Sequence, residues 1–139
     1  MAQLFHVEII SATRKIYDGD IASLIVPGES GTFGILAGHA PLISSLAIGE
    51  IICEDENGQK NILAVSGGFV EVKYDNVLVL ADAAELATQI DIERAKNAKN
   101  RAENLLEKAQ LDKENIDYER ARASLMRAIN RINVVERSI

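Results

Sequence analysis

The chain has 139 residues and a mass of 15.1 kDa, enough for one or two small domains, and its 47% hydrophobic and 26% charged residues are those of a folded protein. A formal charge of −6 and a pI near 4.9 argue against a nucleic-acid binder, and no apolar run approaches the roughly 18 residues of a membrane span. The N-terminus MAQLFHVEII lacks the basic start and cleavage site of a signal peptide, and the lone Cys53 excludes an internal disulfide, so a reducing, cytoplasmic setting is expected.

In chain order, the first half reads as strands. FHVEIIS, SLIVPG, GEIICE, NILAVS, FVEVKY and NVLVLA are short, rich in Val, Ile and Leu, and bounded by turn residues. Asn57-Gly58 signals a hairpin, and Asp75-Asn76 marks another between VEVKY and VLVLA. All nine glycines lie between Gly19 and Gly68, and both prolines, Pro27 and Pro41, fall in the same stretch. Turn-rich short strands without a helical period predict an antiparallel β-sandwich or flattened barrel over residues 1–86. The strands end near Ala84, and a short linker runs through Gln89.

From Phe69 onward there is neither Gly nor Pro, and the second half reads as an antiparallel two-helix hairpin over residues 87–139, an α+β chain in all. Thr88-Gln-Ile-Asp91 resembles a capping signature. The helices are expected at about residues 91–110 and 116–137, with Asp112 and Asn115 as possible caps of the second. Charge divides the same way: four bases against twelve acids in residues 1–86, eleven against nine in the rest. No internal repeat is visible.

At about 100° per residue, Ile92, Ala95, Ala98, Ala102, Leu105, Leu106 and Ala109 form one apolar stripe. Tyr118, Ala121, Leu125, Ala128, Ile129, Ile132 and Val135 form the other. Both are alanine-rich and slender, and they are expected to pack on each other. Arg94 and Arg101 sit at one edge of the first stripe; Arg120, Arg127 and Arg131 sit at the corresponding edge of the second. A two-fold axis relates antiparallel helices, so these edges share one face of a closed hairpin. Arg94 is level with Arg131, and Arg101 with Arg127, to within about 4.5 Å. Such a cluster is either a solvated basic face or an anion site, since guanidinium forks suit phosphate oxygens. A hairpin held by a slender core and an anion is a two-state element, closed with ligand and open without.

Several segments carry a resemblance. FGILAGHAPLISSLAIGEI resembles the G-I-x-x-G-H-x-P-L loop and strand of the epsilon subunits of bacterial F-type ATP synthases. VSGGFVEV, VLADAAE, QIDIERAKNAKNRAE and RAINRINVVE resemble further segments of that family, in order and at its spacing. The resemblance implies a sandwich and helical hairpin in the rotor's central stalk. The sandwich would sit on the gamma subunit and touch the c ring, and the chain would be a peripheral membrane protein on the cytoplasmic face of the bacterial plasma membrane. The mobile hairpin would extend toward the alpha and beta subunits and block ATP hydrolysis, with Arg120, Arg122 and Arg127 meeting beta. The complex would translocate protons or sodium ions. The family's I-D-x-x-R-A match implies ATP contacts at Ile90, Asp91, Arg94 and Ala95, and Glu85, Arg101, Arg127 and Arg131 match such positions too. ATP, with or without magnesium, would be a regulatory ligand rather than a required cofactor. Phe33, Ala37, Gly38, His39 and Pro41 would contact the c ring or gamma. Where some members carry an acid facing the c ring, this chain has Thr32, so no ion pair can form there.

Other chemistry is thin. His6 and His39 are too few for a zinc site, and no metal site is expected. Cys53 sits in a strand-like run without a basic partner. Ser66-Gly67-Gly68 lacks the full nucleophile-elbow pattern, and Gly28, Gly31 and Gly34 are not followed by Lys-Ser/Thr. The acids of DGD and EDE read as solvated turns. No catalytic residue is expected: the chain should regulate an enzyme rather than be one. The alternatives are a free-standing ATP-binding sensor without a rotor role, or an enzyme of unknown type.

Overall fold

The computed structural model describes residues 3–111 and 117–138. Two compact units divide the chain, Met1–Ala87 and Thr88–Ile139. The first holds seven strands: β1 Phe5–Ile10, β2 Lys15–Ile21, β3 Ser23–Gly28, β4 Gly31–Leu36, β5 Leu42–Glu54, β6 Lys60–Lys73 and β7 Asn76–Leu86. The second holds α1 Ile92–Leu111 and α2 Tyr118–Ser138, after a short 3-10 turn at Ala87–Gln89. The expected α+β chain, a sandwich followed by two helices, is what forms.

The strands make one continuous sheet in the order β2-β1-β7-β6-β5-β3-β4. β1 pairs with the Asn76–Leu80 end of β7, whereas β3 pairs with β5 between Leu46 and Glu54. The two outer strand pairs therefore hang on opposite ends of three long central strands. The sheet closes over itself, and Val7, Ile9 and Ile21 from one pair share a core with Leu24, Val26 and Ile35 from the other. Strict alternation drives this: β1 has Phe5, Val7 and Ile9 buried and the residues between them only partly so. All neighbours are antiparallel except β1 and β7, which run parallel.

The sequence reading missed β2 and β4. KIYDGDI and GTFGIL are edge strands, carrying charges or glycines where an inner strand carries branched apolar residues. NILAVS and FVEVKY prove to be one strand, β6. Gly67 and Gly68 join them at φ 73° and 116°, which only glycine adopts freely. A Cβ at Gly68 would collide with the Leu80 carbonyl oxygen and stand 2.8 Å from Ala81 Cα.

The two hairpin signals have different outcomes. At Asn57-Gly58, Asp55 Oδ1 accepts the Asn57 and Gln59 N–H groups at 2.9 Å each, and Gly58 adopts φ 80°. The other turn lies one residue earlier than expected, at Tyr74-Asp75, because Lys73 pairs with Asn76. Asp75 then ties down two neighbours. Its carbonyl accepts the His6 N–H at 2.9 Å, and its Oδ1 accepts the Gly38 N–H at 3.3 Å.

Candidate functional site

The helical unit is built on small residues. Ala95, Ala102 and Ala109 are the buried residues of α1; Ala121, Ala128 and Val134 are those of α2, and the two helices pack on each other. A seven-residue alanine spacing keeps one narrow seam in register and lets the backbones approach closely. Of the stripe leucines, Leu106 and Leu125 are half-buried. Leu105, expected in the stripe, is 45% exposed, and Tyr118 and Ile129 are exposed as well. Val134 is fully buried where Val135 was expected, so the C-terminal end of α2 is covered over a wider arc than the seam alone.

Both helices begin alike, with Asp-Ile-Glu-Arg-Ala from Asp91 and Asp-Tyr-Glu-Arg-Ala from Asp117. This is a short internal repeat that the sequence reading overlooked. Its first residue is the N-cap. Asp91 Oδ1 accepts the Arg94 N–H at 3.1 Å, and its carbonyl accepts the Ala95 N–H at 3.0 Å. Asp117 does the same for Arg120 and Ala121, at 3.1 Å in both cases. The cap of α1 is therefore Asp91 and not Thr88, which lies in the 3-10 turn. Asp112 and Asn115, suggested for α2, fall outside the described residues.

The repeat continues for another heptad. Arg94-Ala95 and Arg101-Ala102 on α1 are matched by Arg120-Ala121 and Arg127-Ala128 on α2. An arginine one residue before a seam alanine lies about 100° round the helix. All four arginines thus leave the seam on the same side, which in an antiparallel pair is one face. Among the described residues, neither these four nor Arg122 takes part in an ion pair. Arg94, Arg101 and Arg120 are exposed; Arg127 and Arg131 are half-buried. Arg127 Nη2 donates to Ser124 Oγ at 3.1 Å. Ile90 is half-buried just before α1, Ala95 belongs to the seam, and Glu85 stands near the end of β7.

The sandwich presents two further features. Phe33 and Ala37 pack against the core at the β4 end, and Gly38 turns the chain at φ 78°. The His39 N–H donates to the Leu36 carbonyl at 3.2 Å, and its Nδ1 lies 2.7 Å from the Ala40 oxygen. Pro41 and Thr32 are exposed, as are the large side chains of Leu36 and Ile43. Sequence reasoning missed an apolar patch. Phe69 and Leu80 pair across β6 and β7 and are both more than half exposed. With Ile10, Ser11, Ala12, Ala81 and Asp82 they line a shallow cleft of about 350 Å³. The signal was available, because Phe69 and Leu80 occupy outward positions flanked by buried Val70 and Val79.

Among the described residues no three His, Cys, Asp or Glu side chains are placed to hold a metal ion. Burial pushes the Cys53 thiol up to about 12, which keeps it neutral and unreactive at ordinary pH. No described helix is long and apolar enough to cross a membrane.

Comparison with known proteins agrees with this architecture. Residues 4–87 match the family model described as ATP synthase, Delta/Epsilon chain, beta-sandwich domain, and residues 88–136 match that of the long alpha-helix domain. The chain is 45% identical to the ATP synthase epsilon chain of Halalkalibacterium halodurans, over 95% of this chain and 97% of that one. It is 42% identical to that of Desulforamulus reducens, over 98% and 100%. Among solved structures, a chain of the Euglena gracilis mitochondrial ATP synthase (OSCP/F1/c-ring) matches with a TM-score of 0.75 and 26% identity, over 91% of this chain and 77% of that one. A chain of the Tetrahymena thermophila mitochondrial ATP synthase central stalk and c-ring shares the fold at 12% identity and a TM-score of 0.53, over 99% and 97%.

Proposed function

The chain belongs to the ATP synthase delta/epsilon family, as an epsilon chain, and on that basis we propose that it is a non-catalytic central-stalk subunit whose helical hairpin senses ATP and restrains ATP hydrolysis. The sandwich is the docking part. The exposed Phe69–Leu80 patch suits an apolar surface of the gamma subunit, since contiguous exposed apolar side chains mark interaction sites. The turn from Phe33 through Ala37, Gly38 and His39 to Pro41 suits the c ring at the membrane, on the cytoplasmic face. The complex would move protons or sodium ions; the chain itself holds no required cofactor in this reading.

The hairpin is the regulatory part. One observation carries it: two helices set Arg94, Arg101, Arg120 and Arg127 on the same side of an alanine seam, without ion-pair partners among the described residues. Unpaired guanidiniums repel one another, and an alanine seam buries little area to oppose that repulsion. A polyphosphate would supply the missing negative charge and favour the closed hairpin. In this reading Arg94, Arg101, Arg127 and Arg131 surround the phosphates of ATP. Asp91 spends one carboxylate oxygen on the helix cap and keeps lone pairs for the adenosine end. Without ATP the hairpin opens, and Arg120, Arg122 and Arg127 meet acidic surfaces of the beta subunits.

Calorimetry of the full chain at millimolar ATP tests this. Each charge-assisted phosphate contact contributes about 1.5–3 kcal/mol, so Arg127→Ala should weaken binding at least about tenfold. No heat of binding, with amide spectra of both helices unchanged by ATP, would leave the arginines as a solvated face used only in the open state.

A further inference from the structure

The edge pair β1–β2 carries a charged network that neither the family reading nor the hairpin uses. Its register sets His6 opposite Asp20 and Glu8 opposite Asp18, so four ionisable side chains share one face. His6 Nε2 lies 2.7 Å from Asp18 Oδ1, and His6 Nδ1 lies 2.9 Å from Asp20 Oδ1. Lys15 Nζ completes the network, 2.7 Å from Glu8 Oε1 and 3.0 Å from Asp18 Oδ2.

The ring's two contacts decide its protonation. A neutral imidazole has one N–H and one bare lone pair. It can donate to only one of two carboxylates, and its lone pair would face the other. Both contacts are hydrogen bonds only when the ring is an imidazolium. We propose that His6 is a proton-operated fastener of the edge strand β2: the imidazolium holds Asp18 and Asp20 together, and loss of its proton frees one of them and loosens β2 from β1.

The surroundings favour such a switch. β2 ends the sheet, so no strand holds its other side. Only Ile21 of β2 is buried; Ile16 and Tyr17 are partly so. The charged groups around the ring are Asp18 and Asp20 from β2, and Glu8 with Lys15 beyond it. From β7 the facing residue is Asn76, which carries no charge, and the His6 N–H donates to the Asp75 carbonyl. Three acids thus face Lys15 alone once the ring is neutral, and like charges across a strand pair destabilise it.

The direction of the effect follows from linkage. The hydrogen bond to Asp20, and then the charges of Asp18 and Asp20, raise the His6 pKa above its ordinary 6.5. The fastener's contribution is complete below that ordinary value and disappears as pH rises through the folded-state value. Asp18 is shifted downward, first by its hydrogen bond from Lys15, so its own contribution is lost only on acidification through the carboxylate range. Across neutral pH, His6 is therefore the group that switches. The ring is 43% exposed, so solvent screens the effect and confines it to the edge strand.

The test is an NMR titration of the full chain across neutral and mildly alkaline pH, reading the His6 ring carbons and the amide exchange of Lys15–Ile21. The ring should titrate above 6.5, and β2 protection, corrected for base-catalysed exchange, should fall between that ordinary value and the ring's own folded-state midpoint, levelling off above it, while β3–β5 stay protected. The fold loss of protection should equal the factor by which the folded-state acidity constant of His6 differs from that of an unfolded chain. In the Asp18→Asn/Asp20→Asn variant, whose substituted side chains are exposed and isosteric, the ring should titrate lower and the pH-dependent loss should vanish. A His6 ring titrating at or below 6.5, or β2 protection flat through the titration, would overturn the proposal.

Discussion

Gly68 shows how much one residue can decide. Its φ of 116° and the backbone of Leu80 and Ala81 leave no room for a Cβ, yet it sits mid-strand in the longest strand of the sheet. Gly68→Ala should lower sandwich stability by about 3 kcal/mol, measured as a fall in the denaturant midpoint at unchanged m-value. Cys53 and Tyr17 illustrate the opposite case, side chains kept inert by burial. Desolvation raises the Tyr17 pKa, so the hydroxyl stays protonated while the half-buried ring packs against the core. Asp75 works through its backbone as much as its side chain, holding the start of β1 and the Gly38 turn from one position.

Among the elements, the helices are the most legible and the edge strands the least. The Asp-x-Glu-Arg-Ala start compresses three jobs into five residues: a cap, an outward arginine and a seam alanine. An Asp117→Ala change removes the side-chain cap of α2 and should cost about 1 kcal/mol, visible as faster exchange at Arg120 and reduced helicity. The conservative Asp117→Asn, which keeps the acceptor, should retain most of it. The same helix carries five arginines and one acid from Arg120 to Arg137. Surface pairs contribute little singly, but several on one helix bias a two-state equilibrium together. Replacing Arg120, Arg122 and Arg127 with alanine should raise ATP hydrolysis by the assembled complex. Hydrolysis unchanged from the parent would exclude electrostatic restraint by these residues.

At the scale of the whole molecule, the chain is two units with different sources of stability. The sandwich buries branched apolar side chains from both ends of a folded-over sheet, whereas the hairpin buries mostly alanines. Alanine contributes far less transfer energy than Leu, Ile or Val. A fragment of residues 1–87 should therefore unfold cooperatively on its own, with a midpoint close to that of the sandwich in the full chain. A non-cooperative melt would show that the sandwich needs the hairpin.

The sequence alone determined the features that local rules govern. Gly and Pro usage divided the chain and left room for two helices, short Val-, Ile- and Leu-rich runs bounded by turn residues located five of the seven strands in whole or part, and the 3.6 period placed the apolar stripes and the arginine edges. These signals are readable because each depends on neighbours within a turn or a hairpin. Tertiary structure decided the rest. β1 pairs in parallel with β7 across some seventy residues, and nothing in either segment states that partner. β2 and β4 became strands because neighbouring strands supply their ladder, although their own residues favour turns. Only that pairing sets His6 between Asp18 and Asp20, and Phe69 beside Leu80. Register is a non-local property, fixed by the fit of one buried face against another, and so the two surfaces it creates could not be read from either strand separately.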